Sequence, residues 1–242
     1  MRVLLAGGGT GGHINPALAI ASIIREHDPS AEFLFEVTPN AKKELNVPQA
    51  GYRLETMHVA GFQRKLSWKN VKRNVKAAYY LATSQPRARK IVRQFQPDVA
   101  IGTGGYVAGP ILHAAAHLGI PCAIHEQNAF PGVTNKMLSK EVDHVMLTVE
   151  QALQYLHPNC AYTVTGLPVR GGISHPDRAA ARKKLGFDDS MCILSFGGSL
   201  GAGCINDAMA ELIPWHVKNG LAINHIHGYG GMGRDTFPKA ME

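Results

Sequence analysis

The sequence predicts an α/β fold in which a mostly parallel sheet is covered by helices on both faces. Three times along the 242-residue chain, a strand-like run is followed by a glycine-rich loop and a segment with helical apolar spacing, at residues 3–24, 99–117 and 192–217. Strands that alternate with helices form parallel sheets, because each crossover helix returns the chain to the same edge. With 45% hydrophobic and 18% charged residues, the chain can bury a sizeable core.

The elements of the first half follow from the spacing of apolar residues. Residues 2–6 form a β-branched and leucine-rich run that predicts a strand, and residues 14–26 show helical apolar spacing. Residues 32–37 predict a second strand. Further strands are predicted at residues 99–101, 120–125, 142–147 and 162–165, with a glycine loop at 102–105 and a helix that runs to His117.

The sequence Gly166-Leu167-Pro168-Val169-Arg170 predicts a hinge that divides the chain into two domains, 1–165 and 166–242. The second part contains a charged helix at 178–185, a strand at 192–196, a glycine loop at 197–203, a helix at 205–217 and a strand at 221–227. A doubly wound domain typically needs ~100 or more residues. The sequence therefore predicts a complete Rossmann-like domain and the incomplete start of a second one, as in a C-terminally truncated chain.

Composition excludes several classes of protein. No apolar run approaches the ~18 residues that span a bilayer, and the N-terminus lacks the pattern of a secretory signal, so a cytosolic protein is expected. The four cysteines are scattered without a Cys-x-x-Cys pair, which indicates reduced thiols and argues against a zinc site.

The positive charge is concentrated in one segment. The net charge is +7, yet residues 56–97 contain ten Lys and Arg and no Asp or Glu. Such a segment predicts a cationic surface with an anionic partner. Six residues in it form an apolar stripe with a basic flank at helical spacing, and they predict either a core-facing helix or a contact with an anionic membrane: Trp68, Val71, Lys72, Val75, Lys76 and Tyr79. Because no nucleic-acid-binding module is recognised, nucleic acid is not the expected partner.

The first glycine loop has the Gly-x-Gly-x-x-Gly pattern at Gly7, Gly9 and Gly12. Glycine permits positive φ and close approach to a ligand, and the N-terminus of the following helix favours anions. A tight turn without a ligand and a dinucleotide site, with Glu36 near the ribose position, are both alternatives. His13 directly beside the loop is better suited to chemistry than to packing against a pyrophosphate. With further glycine loops at 102–105 and 197–203, a ligand held between two glycine-lined domains is the preferred interpretation.

Two histidine pairs are possible metal ligands. His113 and His117 are four residues apart on a probable helix, and His225 and His227 share one face of a strand. No acidic residue accompanies either pair in the sequence, so no metal site is predicted.

Five motifs, in order, carry a resemblance to a known family. They are Gly9-Thr10-Gly11-Gly12-His13 with Asn15-Pro16-Ala17, Gly104-Gly105-Tyr106-Val107-Ala108-Gly109-Pro110, His125-Glu126-Gln127-Asn128 with Pro131-Gly132 and Thr134-Asn135-Lys136, the hinge, and Gly197-Gly198-Ser199-Leu200-Gly201-Ala202. Across residues 2–207 the chain resembles the MurG family of bacterial glycosyltransferases, glycosyltransferase family 28. Leu167 and Leu200 depart from the Asn and Gln of the family motifs.

The resemblance implies a GT-B fold, in which two Rossmann-like domains enclose the active site. It also implies a cofactor-free and metal-independent hexosyltransferase of peptidoglycan synthesis. Such an enzyme inverts the sugar as it transfers N-acetylglucosamine from UDP-N-acetylglucosamine to lipid I, giving lipid II. The resemblance further implies a peripheral protein of the cytoplasmic membrane face, with an acceptor and membrane domain followed by a nucleotide-sugar domain.

The family's donor contacts carry over onto six residues: Thr10, Gly11, Gly12, Asn128, Arg170 and Ser199. His13 is the first choice for the general base, because imidazole titrates near neutral pH; its alternative role is hydrogen bonding within the loop. His125 and Glu126 either orient or replace His13, or form a buried and satisfied polar pair.

The family's later Ala-Leu-Thr-x-x-Glu segment has no counterpart here, so weak donor binding is expected. The remaining alternatives are a non-catalytic module that binds the acceptor and the membrane, and a dinucleotide-dependent oxidoreductase.

Overall fold

The computed structural model describes residues 1–38, 46–59, 83–170 and 176–241. The chain divides into two compact units, Met1–Ser174 (unit 1) and His175–Glu242 (unit 2). The sequence places its boundary at 165–166, in the same connection, and the roles assigned to the two domains stay predictions. The predicted membrane-contact residues lie outside the described residues: Trp68, Val71, Lys72, Val75, Lys76 and Tyr79.

Unit 1 is built around a parallel sheet, as predicted, with seven strands where the sequence predicts six. The strand order is β3-β2-β1-β4-β5-β6-β7. From β1 the chain moves outward in one direction to β3, and from β4 it moves outward in the other, so β1 and β4 flank a topological switch point. The strands are β1 (Arg2–Gly7), β2 (Glu32–Val37), β3 (Arg53–Thr56), β4 (Val99–Gly104), β5 (Cys122–Glu126), β6 (His144–Leu147) and β7 (Tyr162–Val164).

Helices cover both faces of this sheet. Because side chains alternate along a strand, Leu4 belongs to one core cluster with Ile91 and Ile111, whereas Leu5 belongs to another with Leu18. The helical segments are α1 (Gly11–His27), α2 (Asn46–Gln49), α3 (described over 83–95), α4 (Ala108–His117), α5 (Val133–Leu138) and a 3₁₀ helix (Glu150–Tyr155). Within the described residues, no helix is long and apolar enough to cross a bilayer.

Strand β4 is longer than predicted. The sequence suggests a loop from residue 102, but the strand continues to Gly104. A Cβ on Gly102 would approach side-chain atoms of Leu112 and Ile124 at 3.2–3.3 Å. Glycine here lets α4 and β5 pack closely on the strand, so it belongs to the core and not to the loop.

Unit 2 contains two parallel strands and three helices among its described residues. Its strands are β8 (Met191–Phe196) and β9 (Ile223–Gly228), and its helices are α6 (Arg178–Leu185), α7 (Gly203–Lys218) and α8 (Phe237–Ala240). The apolar side chains of Met191, Leu194 and Phe196 on β8 are more than 60% exposed. In the described part of this unit, the buried apolar residues are Met209 and Phe237.

Candidate functional site

The candidate site lies where β1 and β4 end, at the switch point of the sheet. The backbones of the two glycine loops meet there, because the Gly8 N–H donates to the Gly104 carbonyl at 3.4 Å. Gly105 has φ +82°, and a Cβ on it would lie 2.4 Å from the Gly8 carbonyl oxygen. A side chain at residue 105 would force the loops apart, so glycine joins them into one surface.

The N-terminus of α1 opens onto this surface. Thr10 is the N-cap residue, with φ −143° and ψ 157°, and its side chain makes no capping hydrogen bond. The first N–H groups of a helix have no intrahelical acceptor, and no acidic side chain lies in the first turn of α1. The amides at Gly11 and Gly12 are therefore suited to an anion such as a phosphate.

His13 is held against both loops. Its Nδ1 lies 2.9 Å from the Gly8 carbonyl oxygen and 3.4 Å from Thr10 Oγ1. Since a carbonyl only accepts, Nδ1 carries the proton, and neutral His13 has its lone pair on Nε2. The ring packs against Gly104, where a Cβ would come within 3.0 Å of it. The Thr103 hydroxyl donates to the His13 carbonyl at 2.7 Å and fixes its backbone.

His125 is fully buried at the end of β5, and both ring nitrogens are hydrogen-bonded. Nε2 lies 3.0 Å from the Gly166 carbonyl, to which it donates, and Nδ1 accepts from the Gln127 amide at 3.1 Å. Burial lowers the pKa of the His125 imidazole, although the Gly166 bond and the charge of Glu126 oppose the shift. His125 thus joins β5 to the residues after β7, and the geometry favours the satisfied polar pair among the two predicted roles.

Glu126 is equally buried and accepts four hydrogen bonds. One oxygen accepts from the Asn128 backbone and side-chain amides at 2.9 and 3.0 Å. The other accepts from the Gly132 amide at 3.2 Å and from Asn135 Nδ2 at 2.8 Å. Glu126 therefore shapes the loop that follows β5 and anchors the first turns of α5, and direct contact with a substrate would require one of these bonds to break.

The structure places the predicted donor contacts in three groups. Thr10, Gly11 and Gly12 lie beside His13. Asn128 is exposed just after the end of β5. Gln127, beside it, links β5 to β4 by donating to the Thr103 carbonyl at 2.9 Å. The other two, Arg170 and Ser199, are exposed, one in unit 1 and one in unit 2.

The glycine loop of unit 2 resembles the first loop in two ways: a glycine with positive φ lies in close backbone contact, and the loop leads into a helix N-terminus. Gly201 has φ +88°, and a Cβ on it would lie 2.2 Å from the Tyr229 carbonyl oxygen. The loop leads into the N-terminus of α7, whose N-cap residue Ala202 makes no side-chain capping bond. Ser199 therefore stands in a second potential anion site at the start of a 16-residue helix.

Sequence reasoning missed the polar residues that support these loops. Within unit 2, His227 lies 2.8 Å from Ser195 Oγ through Nδ1 and 3.1 Å from Asn206 Oδ1 through Nε2, and Asn206 also donates to the Tyr229 carbonyl at 3.1 Å. In unit 1, Gln127 and Asn135 have similar roles. Gln127 and Asn135 stand in the family-like motif and His227 in a histidine pair, but their hydrogen-bond partners lie in other elements, so no local pattern assigns their roles.

Glu36 does not suit the ribose role considered for it. It is fully buried on β2, and neither carboxylate oxygen has a hydrogen-bond partner in the part of the chain that the structure describes. Burial, together with the charge of Glu55, raises the pKa of Glu36 to about 8. A buried carboxyl of this kind is not placed to bind a ribose hydroxyl at the surface, which weakens the dinucleotide alternative.

Comparison with known proteins supports the assignment of the motifs. The model of the glycosyltransferase family 28 N-terminal domain matches residues 3–147. A relative in Acetivibrio thermocellus is 43% identical over 231 residues, which are 95% of this chain and 61% of the relative. One in Clostridioides difficile is 46% identical over 226 residues, 92% of this chain and 54% of the relative.

Both relatives are named UDP-N-acetylglucosamine–N-acetylmuramyl-(pentapeptide) pyrophosphoryl-undecaprenol N-acetylglucosamine transferase. This chain therefore spans between half and two thirds of the length of the curated relatives it matches.

Solved structures share the fold. MurG of Acinetobacter baumannii superimposes with a TM-score of 0.60 at 27% identity, covering 99% of this chain and 64% of that one. The UDP-GlcNAc 2-epimerase of Neisseria meningitidis, solved with UDP-GlcNAc, gives a TM-score of 0.61 at 13% identity, covering 100% and 69%. The second likeness concerns the fold alone.

Proposed function

Because this chain belongs to glycosyltransferase family 28, we propose that it acts in the transfer of N-acetylglucosamine from UDP-N-acetylglucosamine to lipid I, giving lipid II. The observation that carries the proposal is the position of His13 at the switch point, between an open helix N-terminus and the second glycine loop. The relatives bear the name of this activity. The proposal takes up the activity for which the relatives are named, and this chain spans 54–61% of their length.

His13 is the proposed general base. Its Nδ1–H is bound to the Gly8 carbonyl, so the lone pair on Nε2 is free to take the proton of the acceptor hydroxyl. The hydroxyl oxygen then forms a bond to the anomeric carbon while the bond from that carbon to the UDP oxygen breaks, which inverts the configuration. The proton ends on His13 and the electron pair leaves with UDP.

Negative charge develops on the departing diphosphate, and hydrogen-bond donors that are already in place stabilise it best, because the protein need not rearrange. We assign this role to backbone amides and to Arg170, with donor contacts at Thr10, Gly11, Gly12, Asn128 and Ser199. The uncapped N-termini of α1 and α7 support it, since each presents amides without an intrahelical acceptor. His125 and Glu126 are proposed to position Asn128 and the β5 loop.

The acceptor carries a lipid, and unit 1 has a surface that suits a membrane. Phe130, Val133 and Met137 are 59–65% exposed around α5, and Lys136 Nζ lies 4.0 Å from the Phe130 ring centroid. The exposed cations of α3 include Arg89, Lys90 and Arg93. Exposed apolar side chains and exposed cations each favour binding to anionic bilayer surfaces, so we propose peripheral binding at the cytoplasmic membrane face.

The donor proposal is tested by calorimetry with UDP-N-acetylglucosamine. The titration uses this chain and a chimera to which the remaining C-terminal part of the Acetivibrio thermocellus relative is appended. We expect the chimera to bind and this chain to bind weakly. If neither binds, the donor assignment is wrong, and a nicotinamide dinucleotide is the next ligand to test. Tight binding by this chain alone would contradict the assigned donor contacts.

The role of His13 is tested by transfer to a soluble lipid I analogue in the chimera. We expect His13→Asn to lower kcat by about 10²- to 10⁴-fold, with donor affinity unchanged. His27→Asn is the control, because His27 makes the same kind of Nδ1 contact to a backbone carbonyl, at 2.9 Å, far from the glycine loops in sequence. An unchanged kcat in His13→Asn would exclude His13 as the base. No transfer by an unmutated chimera that binds donor would favour the non-catalytic module.

Membrane binding is tested by flotation with phosphatidylglycerol vesicles. We expect R89A/K90A/R93A to reduce binding and R178A/K183A/K184A to leave it unchanged. The second variant removes the same three charges from exposed positions on α6. Equal losses would indicate attraction by net charge alone and would contradict a defined membrane surface.

A further inference from the structure

A cluster of metal-ligand side chains lies on α4, at the end of the helix opposite the glycine loops. His113 and His117 project from successive turns of α4, and Glu141 approaches them from the connection after α5. One ligand atom from each of the three residues lies within 4.8 Å of the other two. Glu141 is 24 residues after His117 along the chain, so no local pattern in the sequence places an acid beside the histidine pair.

The hydrogen bonds of the cluster orient both imidazoles. His117 Nδ1 donates to the backbone carbonyl of His113 at 2.9 Å. His113 Nδ1 lies 2.6 Å from Glu141 Oε2, and the two rings are 4.0 Å apart between centroids. Each histidine in its neutral form therefore has its lone pair on Nε2. Histidines that bind metals characteristically donate their other ring N–H to a carboxylate or a backbone carbonyl, and both kinds of partner are present here.

We propose that His113 and His117 bind a divalent transition-metal ion of the zinc type through their Nε2 atoms, with Glu141 as the carboxylate that orients His113. Two histidines four residues apart on a helix face one metal, and imidazole suits zinc, copper and nickel better than magnesium or calcium. The Glu141 carboxylate also supplies negative charge beside the cation. His117 and Glu141 are exposed and His113 is half-buried, so water fills the remaining coordination positions.

The site is structural and separate from the proposed transfer reaction. His117 is the last residue of α4, whereas Gly104 and Gly105 precede the helix. Glu141 is fixed to the end of α5 by its N–H bond to the Leu138 carbonyl at 2.8 Å. A bound ion would join two successive turns at the end of α4 and strengthen the His113–Glu141 hydrogen bond to the turn after α5, so it would stabilise unit 1.

The proposal is tested by zinc titration of the untagged chain against a chromogenic chelator. Cys192 and Cys204 are exposed thiols that compete for soft metals, so all variants carry C192S/C204S. We expect one zinc ion to bind, His117→Ala to weaken binding at least about tenfold, and Glu141→Ala to weaken it about 10- to 100-fold. Glu141→Gln retains an oxygen acceptor for His113, and we expect a smaller loss from it.

His27→Ala is the matched control. His27 is also near the C-terminus of a helix, and its Nδ1 contacts the carbonyl four residues earlier at 2.9 Å, but it is not part of the cluster. A second readout is melting temperature, which zinc should raise in the parent and in His27→Ala but not in H113A/H117A. Zinc binding that is equal in H113A/H117A and in the parent, or that is lost equally in His27→Ala, would overturn the proposal.

Discussion

Four hydrogen bonds to one buried carboxylate make Glu126 the residue on which the β5 loop depends. In Glu126→Gln, an amide NH₂ replaces one of the two carboxylate oxygens. The NH₂ then faces the two Asn128 donors if it replaces one oxygen, or the Gly132 and Asn135 donors if it replaces the other. Buried donors then lose their acceptor, so we expect a loss of about 2–4 kcal/mol in the free energy of unfolding. Urea unfolding followed by circular dichroism measures it.

The control for this prediction is Glu150→Gln. Glu150 is exposed at the start of the 3₁₀ helix, and surface substitutions usually change stability by less than about 0.5 kcal/mol. Similar losses in both variants would mean that the bonds to Glu126 contribute little beyond its charge.

Glu36 should make the protein less stable as pH rises, whereas an acid in a salt bridge makes a protein less stable as pH falls. Its folded-state pKa is raised to about 8 from 4.5 by burial, so the folded protein retains a proton that the unfolded chain releases. Stability is therefore fully present below pH 4.5 and falls as pH rises towards 8. At about 1.4 kcal/mol for each pH unit, the window from pH 4.5 to about 8 corresponds to an expected loss on the order of 5 kcal/mol.

Glu36→Gln checks this pH dependence. The neutral amide cannot ionise, so the variant should exceed the parent in unfolding free energy at pH 9 and approach it at pH 4.5. Glu32→Gln, on the exposed start of the same strand, should keep the parent's slope. A parent whose stability does not fall between pH 5 and 8 would show that Glu36 is ionised without penalty.

The candidate site was only partly predictable at the residue scale. The glycines, His13 and Asn128 stand out because their types and spacing match motifs. The roles of Thr103, Gln127 and Asn135 depend on partners in other elements, namely His13 in α1, Thr103 in β4 and Glu126 in β5, which no local pattern states. The sequence also left His125 and Glu126 with two roles each, because a local pattern does not show their burial or their hydrogen-bond partners.

Among the elements, the contact between the two glycine loops tests the geometry of the site most directly. Gly105→Ala places a Cβ 2.4 Å from a backbone oxygen at φ +82°, whereas Gly119→Ala, at φ +74°, meets nothing within 4 Å. Both variants lose about 1–2 kcal/mol from the backbone conformation. Only Gly105→Ala adds a clash of about 1–3 kcal/mol.

Thermal unfolding of the two alanine variants measures the difference. Gly105→Ala should be less stable than Gly119→Ala by the amount of the clash and should also bind donor more weakly in the chimera. Equal stability of the two variants would mean that the loops separate without cost and that their contact does not define the site.

Elements were predicted well where periodicity and burial agree. The bounds of β2 and α6 were predicted from the sequence, since β2 is an apolar run and α6 ends at Gly186 in the left-handed conformation. Strand β3, with the polar sequence Arg-Leu-Glu-Thr, was missed because it lies at a sheet edge and is only partly buried. Helix α5 was missed because it has six residues and an exposed apolar side.

At the scale of the whole molecule, the two units differ in how much apolar surface they bury. Unit 1 has a core cluster on each face of its sheet. In unit 2, Met191, Leu194 and Phe196 on β8 stay largely exposed. Strands with few buried contacts open more readily, so we expect amides of β8 and β9 to exchange with deuterium at least about tenfold faster than those of β1 and β4.

Hydrogen–deuterium exchange of the intact chain, read by mass spectrometry, gives the rates for both units in one experiment. Addition of UDP to the chimera is the complementary measurement, because a ligand held by the α7 loop should slow exchange in unit 2. Equal protection of β8 and β4 would show that the exposed apolar side chains do not weaken unit 2.

The order of the strands in the sheet could not be predicted from the sequence, and neither could the position of the switch point. Alternation of strands and helices indicates a parallel sheet but not which strands are neighbours. β1 lies between β2 and β4. Val3 of β1 pairs with Val99 of β4, which is 96 positions later in the chain.

This pairing has a consequence for synthesis on the ribosome. At about 5–20 residues per second, the segment that becomes β4 leaves the peptidyl-transferase centre roughly 5–20 s after β1. Throughout that interval, one edge of an apolar strand has no native partner. The glycine surface between β1 and β4 thus forms late in biogenesis, and the nascent chain exposes an apolar strand edge to chaperones before it can bind a substrate.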